Sequence, residues 1–214
     1  FVSKWYVFST LTSRYITSPE SVMDLDIRRI AEKGFVEYFN EMEDANLSDT
    51  FWEIGLVQDL ETSAINSPFF NVYLAAQVHG SDNSLLMNGT KVRDLITTMG
   101  NIHHIFPKGY LQKNGITDKS KYNQIANYTY LDTQTNISIG EKAPNEYFKT
   151  VFEQCASKEM KFGNISDTIL LKENLSINCI PENVVSMDAT HYEDFLLERR
   201  KLMAKKIKDY YNSL

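Results

Sequence analysis

The hydrophobic positions of the first hundred residues recur every three or four residues, which is the spacing of amphipathic helices. Proline, serine and threonine residues stand where helices commonly begin, and glycines stand where helices commonly end. Together these signals predict four helices, at 4–15, 19–33, 68–79 and 91–99.

The pattern changes after residue 100. Two runs rich in β-forming residues, 101–106 and 128–131, predict short strands. The polar segment between them, 107–127, is about twenty residues long, and loops of that length inside a compact domain are commonly functional. The second strand leads into a predicted short helix over 132–139, which ends at Gly140. The predicted order is therefore strand, long loop, strand and helix.

The rest of the chain is predicted to be helical again. Pro144 begins one helix, and Thr190 with Glu193 is predicted to cap the last one, which runs to about residue 211. The six basic residues between 199 and 208 are interpreted as the solvated face of this helix, with phosphate contact as the alternative. The predicted fold class is mainly α (α+β), with a helical scaffold over 1–99 and a second domain over 100–214.

Composition and charge narrow the classes of protein. Hydrophobic residues make up 43% and charged residues 23%, as in ordinary globular domains. No window reaches the ~18 consecutive apolar residues of a membrane helix, so no membrane partner is expected. Cys155 and Cys179 stand alone, which argues against a disulfide framework and fits a cytoplasmic protein. The net charge is −6, but 101–214 hold fifteen basic and fourteen acidic residues, so any nucleic-acid surface is expected to be local and to lie in this half.

The adjacent residues His103 and His104 carry the candidate chemistry. Neighbouring strand residues point to opposite faces, so one histidine can bind a metal while the other faces a substrate. Asn136 lies on the short predicted helix, and its amide oxygen is a hard ligand suited to Mg²⁺ or Mn²⁺. His79 and His191 are predicted to be surface or capping residues. Taken alone, the histidine pair is more simply explained as a chance pair on an edge strand.

The residues around the pair resemble a known nuclease signature. Residues 101–111, NIHHIFPKGYL, and 125–136, IANYTYLDTQTN, are similar to the two parts of the HNH, or His-Me finger (ββα-metal), motif. The interval from Asn127 to Asn136 equals the nine-residue spacing of two asparagines in CRISPR-effector HNH domains. With GEKAPNEY at 140–147, the pattern resembles the C-terminal nuclease module of GmrSD-type modification-dependent restriction enzymes and of the related SspE antiphage proteins.

This resemblance implies a role for each matching residue. His104 matches the general base, and His103 matches the first ligand of a single Mg²⁺ or Mn²⁺ ion. Asn127 matches the asparagine that ties the long loop to the strand and orients the histidine. Asn136 matches the second metal ligand. Three lysines are expected to contact DNA beside the site: Lys108, Lys113 and Lys142.

The function implied by the resemblance is that of a metal-dependent DNA endonuclease, the effector module of a bacterial restriction or antiphage defence system. Its implied partners are double-stranded DNA, including modified phage DNA, and an N-terminal ParB-like nucleotidase domain whose motifs do not occur in this chain. One such site cuts one strand, so a double-strand break needs two copies, as in a homodimer, or two successive nicks. Two alternatives stay open. One is a degenerate HNH fold that binds DNA or a partner without cutting. The other is an unrelated metalloprotein that uses both histidines and a further ligand.

Overall fold

The structure is a computed structural model that describes residues 1–98 and 102–214. Helices dominate these residues, and their one sheet has two short antiparallel strands, so the predicted fold class is confirmed. Among the described residues, no helix combines the length and apolar character needed to cross a bilayer. The helices are α1 (Val2–Leu11), α2 (Pro19–Lys33), α3 (Phe35–Asn46), α4 (Leu56–Asp59), α5 (Pro68–His79), α6 (Val92–Thr97), α7 (Lys108–Lys113), α8 (Lys119–Tyr122), α9 (Thr133–Ile139), α10 (Pro144–Ser157), α11 (Thr168–Ile177) and α12 (Tyr192–Asn212), and the strands are β1 (Ile102–His104) and β2 (Tyr128–Tyr130).

Local boundary signals placed most of the predicted helices correctly. Pro19, Pro68 and Pro144 each stand at the first position of a helix, where proline's missing N–H is not needed. Gly34 ends α2 with a φ of 87°, a left-handed value that a residue with a side chain rarely adopts. The fourth predicted helix is shorter than expected, because α6 ends at Thr97. Its predicted last residue, and the predicted first residue of β1, lie outside the described residues.

Helix α2 has the predicted helical spacing, but its apolar stripe does not face the core. Met23 is 46% exposed and Ile27 is 67% exposed, whereas Asp26 is buried. The Asp26 carboxylate accepts hydrogen bonds from the hydroxyls of Tyr15 and Tyr38, each at 2.7 Å, and pairs with an arginine between α1 and α2. Because these polar contacts hold the Asp26 side inward, the apolar stripe is turned towards solvent.

The segment between the strands is not the irregular polar loop that was predicted. It contains α7 and α8, and a 3-10 turn over Ile125–Asn127. Asp118 begins α8, since its side chain accepts the backbone N–H of Ser120 at 2.8 Å. Leu111 and Tyr122 are buried in the core, which anchors both short helices. The segment is therefore a packed part of the domain.

Helix α12 corrects the interpretation of the basic run. Arg199 is only 1% exposed and Arg200 is also buried, while Leu202 is exposed. The Arg199 guanidinium donates to the carbonyl oxygens of Ala126 (2.8 Å) and Tyr128 (2.7 Å), so it holds the start of β2 from inside the core. The burial is possible because these backbone acceptors satisfy a charge that would otherwise need water.

The start of α12 also differs from the prediction. The reciprocal capping contacts are made by Asp188 and His191, in the 3-10 turn before the helix, and not by Thr190 and Glu193. Once begun, α12 packs against α4 and α5 and also against the turn before β2. Elements from both sides of the proposed boundary at residues 99 and 100 thus pack against α12. The two-domain division stays a prediction.

We expect Arg199→Ala to lower the free energy of unfolding by about 3 kcal/mol, since hydrogen bonds from a charged donor are worth about 1.5–3 kcal/mol and two buried carbonyls lose their partner. Urea unfolding of both proteins measures the difference. Lys201→Ala, at an exposed neighbouring position of α12, is the matched control and should unfold at the parent's midpoint. Equal midpoints for the two variants would show that Arg199 does not hold β2.

Candidate functional site

The pairing of the two strands positions the two histidines. β1 and β2 run antiparallel, with His103 opposite Thr129 and His104 opposite Tyr128. Side chains alternate between the two faces of a strand, so the histidines point in opposite directions. His103 is buried and His104 is half-buried. The two rings therefore have different environments and can have different chemical roles.

One ring nitrogen of His103 has no hydrogen-bond partner among the described residues. This nitrogen is Nε2, which is buried. The backbone of Leu131 lies near the same ring and acts to raise its pKa. Metal-binding histidines almost always have one nitrogen held by a carbonyl or carboxylate and the other free for the ion. His103 shows the second of these two features, a ring nitrogen without a protein partner.

The electrostatic environment keeps His103 neutral. Burial lowers its pKa below the ordinary value, and the neighbouring His104 lowers it further. The carboxylate of Asp132 and the Leu131 backbone act in the opposite direction without reversing the shift. At neutral pH the ring therefore has the free lone pair that a metal ligand requires.

Helix α9 begins beside His103. Asp132 caps this helix by accepting the backbone N–H of Thr135 at 3.0 Å. Asn136 follows Asp132 by four residues, about one helical turn, and helical side chains lean towards the N-terminus. The Asn136 side chain is half-buried and makes no hydrogen bond with any described residue. Asn136 therefore lies on the first turn of the helix that begins beside His103, and a shared ion stays a prediction.

The donor set around His103 differs from that of a closed zinc site. Across residues 1–98 and 102–214, no three histidine, cysteine, aspartate or glutamate side chains cluster as metal ligands. The alternative in which His103 and His104 both bind one metal requires such a third group. An ion held by one imidazole, one amide oxygen and water fits Mg²⁺ or Mn²⁺, which commonly retain several water ligands.

His104 lies on the other face of β1 and is held by an asparagine that the sequence analysis did not identify. Its Nε2 is 2.9 Å from Oδ1 of Asn123. The edge of its ring packs against Tyr128, with 5.2 Å between centroids. Burial lowers the pKa of His104, the hydrogen bond to Asn123 opposes that shift, and the charge of Lys108 lowers the pKa again. The neutral ring can accept a proton at physiological pH.

Asn127 joins the long segment to the strand through hydrogen bonds, and none of its hydrogen bonds to described residues goes to the ring of His104. Its fully buried side chain accepts the backbone N–H of Phe106 at 2.8 Å and donates to the carbonyls of Phe106 (3.1 Å) and Tyr122 (3.2 Å). The side-chain contact with His104 comes from Asn123 instead. No sequence pattern distinguishes Asn123 from the other asparagines of the segment.

The three predicted DNA-binding lysines are in different positions. Lys108 is exposed, lies 5.4 Å from the ring centroid of Tyr122 and is near enough to act on His104. Lys113 forms an exposed ion pair with Glu141. Lys142 donates to the carbonyl oxygens of Ser138 (3.0 Å) and Ile139 (3.3 Å), at the far end of α9. Lys108 therefore lies near His104, whereas Lys113 and Lys142 each bind a neighbouring group of the chain.

Comparison with known proteins leaves the family open. No family model matches the chain, and no solved structure matches it. The chain is similar to an uncharacterized protein of Methanocaldococcus jannaschii, with 26% identity over 156 residues. That alignment covers 71% of this chain and 25% of the relative, so the chain spans about a quarter of that protein's length. The relative's description names no activity, and the nuclease resemblance stays a prediction.

We expect the two histidines to make the protein less stable in mild acid. The unfolded chain binds their protons near pH ~6.5, whereas both pKa values are lower in the folded protein, so the unfolded state gains protons first as the pH falls. The urea midpoint should therefore fall between pH 7.5 and 5.5. In the double variant His103→Asn, His104→Asn the urea midpoint should fall much less over this pH range. In His79→Ala it should fall as in the parent. An unchanged fall in the double variant would contradict the lowered pKa values.

Proposed function

We propose that this chain is a metal-dependent DNA endonuclease whose site is formed by β1, β2 and α9. The observation that carries the proposal is the pair of histidines on opposite faces of one strand. His104 is neutral and half-buried, and His103 has a buried ring nitrogen without a partner. A hydrolytic site needs a proton acceptor beside a place for a cation, and in this proposal His104 and His103 have these two roles.

His104 is the proposed general base. A neutral imidazole positioned in the site can take the proton of a water molecule that attacks a phosphodiester. The neighbouring aromatic ring of Tyr128 and the amide of Asn123 restrict the orientation of His104, which lowers the entropic cost of reaching the reactive geometry. Lys108 is free to contact a DNA phosphate at this edge of the domain, because its side chain is exposed.

His103 and Asn136 are the proposed metal-binding residues. His103 would contribute Nε2 and Asn136 its amide oxygen. When bound, a Mg²⁺ or Mn²⁺ ion would act as a Lewis acid and stabilise the charge that develops on the phosphate and the leaving oxygen. Binding would also satisfy the His103 nitrogen, whose burial without a partner is otherwise unfavourable.

The biological setting follows from the resemblance alone. We propose a cytoplasmic effector module of a restriction or antiphage system that acts on double-stranded DNA, including modified phage DNA. A ParB-like nucleotidase domain would regulate it, and a homodimer would let two sites cut both strands. The runner-up function is a degenerate module that binds DNA or a partner without cutting, and the cleavage experiment separates the two.

Nicking of supercoiled plasmid in the presence of Mg²⁺ or Mn²⁺ tests the proposal. The parent should nick DNA, and His104→Ala should lower the rate by about 10²–10⁴-fold, the usual contribution of a general base, without changing divalent-ion affinity. His103→Ala and Asn136→Ala should weaken the metal, and excess Mn²⁺ should partly restore their activity. His79→Ala is the matched histidine control and should cleave like the parent.

Two outcomes would overturn parts of this proposal. Restoration of the His104 variant by excess Mn²⁺, but not of the His103 variant, would reverse the roles of the two histidines. A parent protein that binds Mn²⁺ and plasmid yet never nicks it would favour the degenerate binding module.

A further inference from the structure

One asparagine side chain decides which nitrogen of His104 is free. Asn123 Oδ1 lies 2.9 Å from Nε2 of the ring. An amide oxygen only accepts hydrogen bonds, so Nε2 has to carry the proton in this contact. A neutral imidazole has a single N–H, and the lone pair is then on Nδ1. No hydrogen bond of Nδ1 is found among the described residues, which leaves that nitrogen available to a water molecule.

The backbone around Asn123 is fixed by buried groups. Its own N–H donates to the carbonyl of Lys119 at 3.0 Å, which closes α8. The carbonyl of Tyr122, the residue before it, accepts from the Asn127 amide (3.2 Å) and from the Tyr192 hydroxyl (3.3 Å). Asn127 belongs to the same segment and Tyr192 to α12, so the backbone beside Asn123 is held both locally and by the core.

The ring of His104 is confined from two further directions. Tyr128 meets it edge-on at 5.2 Å between centroids, and Tyr122 does so at 6.4 Å. With two aromatic neighbours, the ring has little room to rotate away from the Asn123 amide. The contact between His104 and Asn123 is therefore a fixed feature of the site.

We propose that Asn123 is a positioning residue for His104, which holds the proton on Nε2 and so makes Nδ1 the atom that accepts the proton of the attacking water. The catalytic part of this proposal, proton transfer from water to Nδ1, rests on the proposed nuclease function. The tautomer itself rests only on the geometry of Asn123. Asn127 then acts on the histidine indirectly, by fixing the carbonyl that precedes Asn123.

The proposed step balances as a hydrolysis. One O–H bond of water breaks and its proton moves to Nδ1 of His104, while the water oxygen forms a bond to phosphorus. The bond from phosphorus to the 3′ oxygen breaks, and that oxygen takes a proton from solvent. The Nε2–H bond to Asn123 is kept throughout, and it becomes stronger in the imidazolium because hydrogen bonds from charged donors are the stronger ones.

Nitrogen NMR of the metal-free protein, with ¹⁵N-labelled histidine at a pH where the ring is neutral, tests the tautomer without requiring any activity. Signals of His104 are assigned by their loss in His104→Gln. The parent should show a protonated Nε2 and an unprotonated Nδ1. Asn123→Ala should lose this preference, and Asn114→Ala should keep it, since the Asn114 side chain hydrogen-bonds to the backbone of Tyr110 and not to His104. A protonated Nδ1 in the parent, or an unchanged tautomer in Asn123→Ala, would overturn the proposal.

Plasmid nicking tests the catalytic consequence. Asn123→Ala should lower kcat by about 10–100-fold, the usual cost of losing an orienting contact, with KM for DNA and Mn²⁺ affinity unchanged. Asn123→Asp retains an acceptor oxygen and should recover most of the loss. Equal losses in both variants would show a merely structural role.

The NMR and nicking results together separate the two proposals. The expected tautomer in a protein that does not nick DNA removes the nuclease function alone. Nicking by a parent with a protonated Nδ1 removes the role of Asn123 alone.

Discussion

The rest of the site depends on the buried side-chain amide of Asn127. Its three hydrogen bonds join the backbone after β1, at Phe106, to the end of α8, at Tyr122. Buried backbone groups have to be paired, and further core side chains complete the pairing around this joint. Arg199 takes the carbonyls on either side of Asn127, and the Tyr147 hydroxyl donates to Ile105 at 2.8 Å. A strand of only three residues is held rigidly by this set of donors.

That rigidity lets two adjacent histidines have unlike surroundings. β1 is too short to fix its own geometry, since each strand here has a single neighbour. Because Asn127 and the core hold it, His103 faces the start of α9 while His104 faces Asn123. One ring nitrogen is enclosed without a partner, and the other ring is bonded at Nε2. The proposed division of labour between metal binding and proton transfer follows from this asymmetry.

Local chemistry made some features predictable from sequence, and tertiary contacts made others unpredictable. The helices that begin at proline and the two strands depend on nearby residues. The hydrogen bonds by which Asn127 joins the long segment to β1 belong to one compact motif. The burial of Arg199 depends on carbonyls about seventy residues earlier in the chain, which no charge pattern reveals. Asn123 is likewise recognisable only once α8 places it against His104. The sequence also does not reveal that Lys142 donates to the carbonyls at the end of α9.

The enclosed nitrogen of His103 is proposed to bind a divalent ion beside His104. Anomalous X-ray diffraction from crystals of the protein soaked in Mn²⁺ tests it most directly. We expect one peak at about 2.1 Å from His103 Nε2 and from the amide oxygen of Asn136, the distance typical of small divalent ions. A His103 Nε2 that is bonded to a protein group, or that has no peak beside it at saturating Mn²⁺, would exclude His103 as a metal ligand.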